Sequence, residues 1–211
     1  LQKVKDDIVS SVGLAVGNMA PSKMEVRRIT LRPKEYEDMI ADTRLPEVYD
    51  PDLRVIRFVD PESDATQGSI ITWANHPETL WSGNLEITSD YPGHLRRGLS
   101  QGILYDGKSY RSGIGGTHLF IVAALGGLLA PHRRLAVHDP FINETFQKPS
   151  FEKARAIGYR LADKILEDFD SNQVEQIYQP EIRLVAKKFR VRIKNWRFRL
   201  ARILRILKRR F

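Results

Sequence analysis

Apolar residues Val4, Ile8, Val9, Val12 and Leu14 recur at roughly helical spacing, and Gly17-Asn18 offers a stop, so residues 2–16 are predicted to form a helix. Residues 24–31 are rich in β-formers, whereas Pro33, Pro46 and Pro51 favour a loop over residues 33–52. From Leu53 to Val59 the positions alternate, Pro61-Glu-Ser-Asp supplies turn chemistry, and residues 69–73 read as a second strand. The pair predicts a hairpin whose second member ends at Asn75-His76-Pro77. A short helix is expected over residues 94–101. The continuous apolar run 119–125 fits a strand buried on both faces, hence one at the centre of a sheet. Residues 150–169 open on a helix start signal and place Ala154, Ile157, Leu161, Ile165 and Leu166 on one face. Beyond Pro180, residues 182–194 read as strand-rich, and Trp196, Leu200, Ile203, Leu204 and Leu207 form an apolar stripe with arginines opposite. Strands interleaved with helices predict an α/β domain, a mixed β-sheet flanked by helices, over residues 1–180, with 181–211 as a separate segment.

Charge sharpens that division. The chain of 211 residues carries a formal net charge of +8, yet 13 of its 34 Lys and Arg residues lie between Arg183 and Arg210, and Glu181 is the only acid beyond residue 180. Residues 1–180 are therefore net −4, and the basicity belongs to the terminal segment. There is no cysteine, so disulfides and thiolate metal sites are excluded and any metal must be held by His, carboxylate, Tyr or backbone oxygen. The chain has no apolar run of about 18 residues and no signal-peptide pattern at its start, which favours a cytoplasmic or peripheral-membrane location. Its first residue, Leu1, suggests a fragment, a processed chain or an unconventional start.

The stretch richest in chemistry is Trp73-Ala-Asn-His-Pro-Glu-Thr79, followed by Asn84-Leu-Glu-Ile-Thr-Ser-Asp-Tyr-Pro-Gly93. A histidine at the C-terminal end of a strand is aimed at the crevice where α/β folds place ligands, so His76 is a candidate metal ligand; an ordinary strand-end residue is the competing reading. The pattern His76-Pro77, Asn84, Ile87-Thr88-Ser89-Asp90 and Gly93 resembles the zinc-binding segment of the neutral, non-lysosomal ceramidases and their bacterial relatives. Ser69-Ile-Ile-Thr-Trp-Ala-Asn75 is similar to the strand leading into that segment, and residues 120–131 resemble the family's apolar strand and the loop after it. The resemblance covers about residues 1–170.

It implies a single zinc held by two histidines, a glutamate and a tyrosine, with metal-bound water attacking the amide of an N-acylated sphingoid base. His76 matches the second histidine of that set, and the other ligands find no match in this chain. Ala130 stands where the family has a catalytic serine, and Leu128 where it has an aspartate. A lipid-like or small amide or ester substrate is therefore expected, with the metal site incomplete in this chain. The alternative is a non-catalytic relative that binds lipid or membrane. Asn84, Asp90, Glu78, Gly126, Gly127 and His132 are candidates for contacting substrate or supporting the metal ligand. For Glu78 a solvated loop carboxylate competes with that role, and for Gly126-Gly127 a tight turn does. His94, His118 and His138 read as surface or structural residues.

The terminal segment 181–211 has the amphipathic, basic character suited to an anionic membrane surface. A packed continuation of the domain is the competing reading. Nucleic-acid binding is not expected, because no recognised motif accompanies the charge.

Overall fold

A computed structural model describes residues 2–45, 47–124, 129–171, 174, 176–181, 183–189, 192 and 194–206. Two units are present, Leu1–Pro180 and Glu181–Phe211. In the first, α1 (Gln2–Gly17) leads to β1 (Lys23–Thr30), a single-turn α2 (Pro33–Tyr36) and a short β2 (Ala41–Asp42). Then come β3 (Asp52–Val59), β4 (Thr66–Trp73), α3 (Asp90–Gln101), the ribbon β5 (Gly102–Tyr105) and β6 (Lys108–Ser112), and β7 (Thr117–Val122). The unit closes with β8 (Leu129–Ala130), β9 (Val137–Asp139), β10 (Glu144–Phe146), the long α4 (Phe151–Ser171) and β11 (Gln176–Ile177).

The main sheet has the order β11-β1-β3-β4-β7. β3 and β4 form the expected antiparallel hairpin, while β4 and β7 run parallel through the crossover that contains α3. Residue parity decides which way each side chain faces. Leu53, Val55, Ile71 and Trp73 lie under α3 and α4 and are almost fully buried, together with Tyr91, Leu95, Leu99, Ile157 and Leu161. Each such side chain contributes about 1.5–3 kcal/mol by leaving water. Edge-on ring contacts join Trp73 to Tyr91 and Tyr91 to Phe120, with centroids 5.9 and 5.6 Å apart, so the first turn of α3 is fixed against both parallel strands.

The two helices cross at glycines. A Cβ on Gly158 would stand 2.5 Å from the Tyr91 carbonyl oxygen and 2.6 Å from the His94 Cβ, so only hydrogen fits between α4 and α3 there. α3 begins four residues before the predicted start, because Pro92 is compatible with a helix's first turn, where its missing N–H would have no intrahelical acceptor.

Two expectations need correction. The 119–125 run is not central: β7 is an edge strand, and Leu119 and Ile121 are 53% and 52% exposed. The run is apolar on both faces, but the helices cover only the face carrying His118, Phe120 and Val122. In the second unit, the described residues of 182–194 form no strand. A strand needs a neighbour for its N–H and C=O groups, and the described residues of this stretch pair with none; Leu184, Val185 and Phe189 are exposed. The amphipathic α5 (Trp196–Ile203) follows, capped by the Asn195 carboxamide oxygen, which accepts from the Arg197 N–H at 3.0 Å.

Candidate functional site

Because β4 and β7 are parallel, their C-terminal ends open on the same side, and the loops that follow meet there. The Ala123 N–H donates to the Trp73 carbonyl at 3.0 Å, and the His76 N–H to the Leu129 carbonyl at 3.1 Å. Behind them, the Tyr91 hydroxyl donates to the Asn75 carbonyl at 2.7 Å and holds the end of β4 down. Burial raises the Tyr91 phenol well above its ordinary pKa, so it remains a donor. His76 therefore emerges from a fixed base, with its side chain 35% exposed. Its Nδ1 lies 3.8 Å from Glu78 Oε1, and both side chains are partly solvated.

Beyond His76 a cleft of about 420 Å³ is lined by Glu78, Leu80, Trp81, Asn84, Thr88 and Asp90, among others. Trp81 adopts φ = +52°, a region that bulky residues rarely occupy. Its indole N–H donates to the Pro131 carbonyl at 3.1 Å, and its ring meets His132 edge-on at 5.4 Å. The loop after β4 and the loop after β8 are thus pinned together by one tryptophan.

Asp90 is buried and acts as a clamp. Its carboxylate accepts from the Leu80 and Tyr91 N–H groups at 3.3 and 2.7 Å, while its own N–H donates to Thr88 Oγ1 at 3.0 Å. Asn84 braces the rim: its amide nitrogen donates to the Glu86 carbonyl at 2.7 Å and its oxygen accepts from the Glu86 N–H at 3.3 Å. Glu78, Asn84 and Asp90 are accordingly brought to one cleft beside His76, and His132 reaches the same wall through Trp81. Gly126 and Gly127 lie outside the described residues. His132 Nδ1 accepts from the Arg134 N–H at 3.2 Å. Burial, followed by Arg134, Arg133 and Lys153, lowers its pKa and favours the neutral ring.

The remaining histidines stand apart. His118 is buried between Ser69 Oγ and the Gly115 carbonyl, each at 2.8 Å, and His94 packs edge-on against Tyr159. His138 Nδ1 meets Thr145 Oγ1 at 3.3 Å on the β9–β10 ribbon. All five histidines are among the described residues, and no group of three or more His, Cys, Asp or Glu side chains among those residues is arranged to hold a metal. A catalytic zinc takes about three protein ligands, so the described residues, with His76 alone at the strand end, do not by themselves fit one.

Sequence reasoning missed Trp81 and Lys153. Lys153 is fully buried and donates to the carbonyls of Leu135 at 2.6 Å and of His132 and Gln147 at 3.3 Å, which ties down the loop bearing His132. Its signal was a lysine four residues before Ile157 on the buried stripe of an amphipathic helix. Trp81 had none beyond being an aromatic in a polar loop. Two other cavities, beside Glu35 and Lys164 and beside Arg57 and Phe169, are bordered by charged groups and no histidine.

The chain is similar in fold to the neutral ceramidase from Pseudomonas aeruginosa, with a TM-score of 0.58 and 20% identity over 83% of this chain and 26% of that one. It is similar too to a ceramidase complexed with C2, with a TM-score of 0.52 and 20% identity over 76% and 24% of the two chains. The chain thus spans about a quarter of the length of these structures. No family profile and no curated protein sequence matches it.

Proposed function

We propose that this chain contributes the His76 cleft of a ceramidase-like hydrolase acting on the amide bond of an N-acyl sphingoid lipid or a related amide or ester. The observation that carries the reading is the placement of His76 in the loop three residues past the end of β4, beside a cleft walled by Leu80 and Trp81, on a ceramidase-like fold. The apolar wall suits an acyl or sphingoid chain, and the carboxylates and amides at the rim suit its polar head. By resemblance His76 is one ligand of a zinc ion, and the remaining ligands must come from outside the described residues.

A second reading, a lipid-binding relative without catalysis, is favoured by the incomplete ligand set and by Ala130, which is buried in β8 and offers no hydroxyl. Turnover of a short-chain N-acyl sphingoid in the presence of zinc, measured in a protein that supplies the remaining ligands together with this chain, separates the two. Zinc-dependent release of the base, lowered about 100-fold or more by His76→Ala, supports the hydrolase, since metal assistance is worth several kcal/mol. Release that is indifferent to His76 contradicts it, and binding without release supports the second reading. The basic segment 181–211 is proposed to contact an anionic membrane surface.

A further inference from the structure

Lys153 is the third residue of α4 and is fully buried. An ammonium group is disfavoured there twice over, because burial strips its water and the first turn of a helix repels positive charge. An apolar side chain would continue the buried stripe that runs on through Ile157 and Leu161 without either cost. A residue that breaks local rules in this way marks a place where position matters more than stability.

The loop after β8 is what the ammonium group serves. Its N–H donors meet the carbonyls of Leu135 at 2.6 Å and of His132 and Gln147 at 3.3 Å. Gln147 in turn donates through Nε2 to the Arg134 carbonyl at 2.8 Å, and the Leu135 N–H closes on the His132 carbonyl at 2.9 Å. The loop so tied brings the Arg134 N–H onto His132 Nδ1 at 3.2 Å, which leaves the proton of a neutral His132 ring on Nε2. Trp81 completes the chain, with its indole N–H on the Pro131 carbonyl at 3.1 Å and its ring 5.4 Å from that of His132.

We infer that Lys153 is a positioning residue of the cleft: caged by three loop carbonyls, it sets His132 as the Nε2–H tautomer and seats Trp81 in the cleft wall. What the wall accepts rests on the hydrolase reading above, whereas the positioning does not. Charge acts in the same sense. Burial lowers the pKa of His132, and Arg134, Arg133 and Lys153 lower it further, so loss of Lys153 favours protonation of the ring. Burial lowers the pKa of Lys153 itself, with Asp38 opposing.

Nitrogen NMR of the histidine rings in the full chain tests this. The parent should hold His132 as the Nε2–H tautomer at neutral pH. Lys153→Met, similar in length but without donors, should mix the tautomers, move the titration of His132 up toward the ordinary value of about 6.5, and shift the Trp81 indole N–H. Lys153→Ala should behave alike, and propylammonium, which replaces the deleted atoms, should largely reverse its changes where propanol does not. A folded Lys153→Met chain with His132 and Trp81 unmoved would overturn the inference, as would equal rescue by propanol. Trp81→Phe leaves the carbonyl cage intact and should keep the His132 tautomer; loss of the tautomer there would assign the positioning to Trp81 instead. Affinity for a water-soluble short-chain N-acyl sphingoid should fall severalfold in Lys153→Met. Unchanged affinity beside shifted His132 and Trp81 signals would count against the hydrolase reading and still support the positioning.

Discussion

At the scale of single residues, the buried titratable groups act on stability more than on chemistry. His94 is held down to a pKa of about 4, first by burial and then by Arg97 and Arg155, and its Nδ1 has no hydrogen-bond partner. The unfolded chain binds that proton from about pH 6.5 downward while the folded chain resists it, so stability present above pH 6.5 is lost as the pH falls toward 4. Partial solvation reduces the effect, and His94 should account for about 1–2 kcal/mol of loss between pH 7 and pH 5. His118 and His132, also lowered, add loss of the same sign. Thermal melts at the two pH values should therefore show a smaller gap in His94→Gln than in the parent; an unchanged gap would remove His94 as a source of acid sensitivity. His76 was legible because it ends a strand pattern. The clamp roles of Asp90 and Lys153 were not, since each depends on backbone groups far away in sequence.

Among the elements, patterns with a local cause were readable and those set by partners were not. The β3–β4 hairpin and α4 follow from alternation and helical spacing within a few residues. β7 misled because an apolar run reports that both faces prefer burial and carries no information on sheet order. The α3–α4 crossing depends on Gly158, whose need for a hydrogen side chain appears only once Tyr91 and His94 are in place. Gly158→Ala gains up to about 1 kcal/mol of helix propensity but forces backbone and side-chain shifts costing about 1–3 kcal/mol, for a net loss of stability. Gly13→Ala in α1 meets no atom within 4 Å and should stabilise its helix by up to about 1 kcal/mol. Thermal denaturation of both variants checks the contrast, and a Gly158→Ala protein as stable as the parent would contradict the close crossing.

For the whole molecule, charge and exposed apolar surface are unevenly distributed. The second unit holds most of the excess basic charge and exposes Trp196, Phe198 and Ile203, whereas the first unit is net acidic. If the segment contacts membranes, removing residues 181–211 should strongly reduce sedimentation with anionic vesicles. Raising salt should weaken binding by the intact chain, since exposed charges are screened over about 8 Å at physiological ionic strength. Equal sedimentation of both chains would exclude that role.

The ceramidase-like fold agrees with the fold that the resemblance implied, and several residues of the stretch that carries it, Glu78, Asn84, Thr88 and Asp90, line one cleft. Amide and side-chain chemical-shift mapping with a water-soluble short-chain N-acyl sphingoid tests the central claim most directly. The account predicts saturable shifts at the Trp81 indole N–H and at the His76 and His132 rings, with His94 and His118 unmoved. Shifts confined to the open sheet face or to the cavity near Arg57 and Phe169, with the cleft silent, would contradict it.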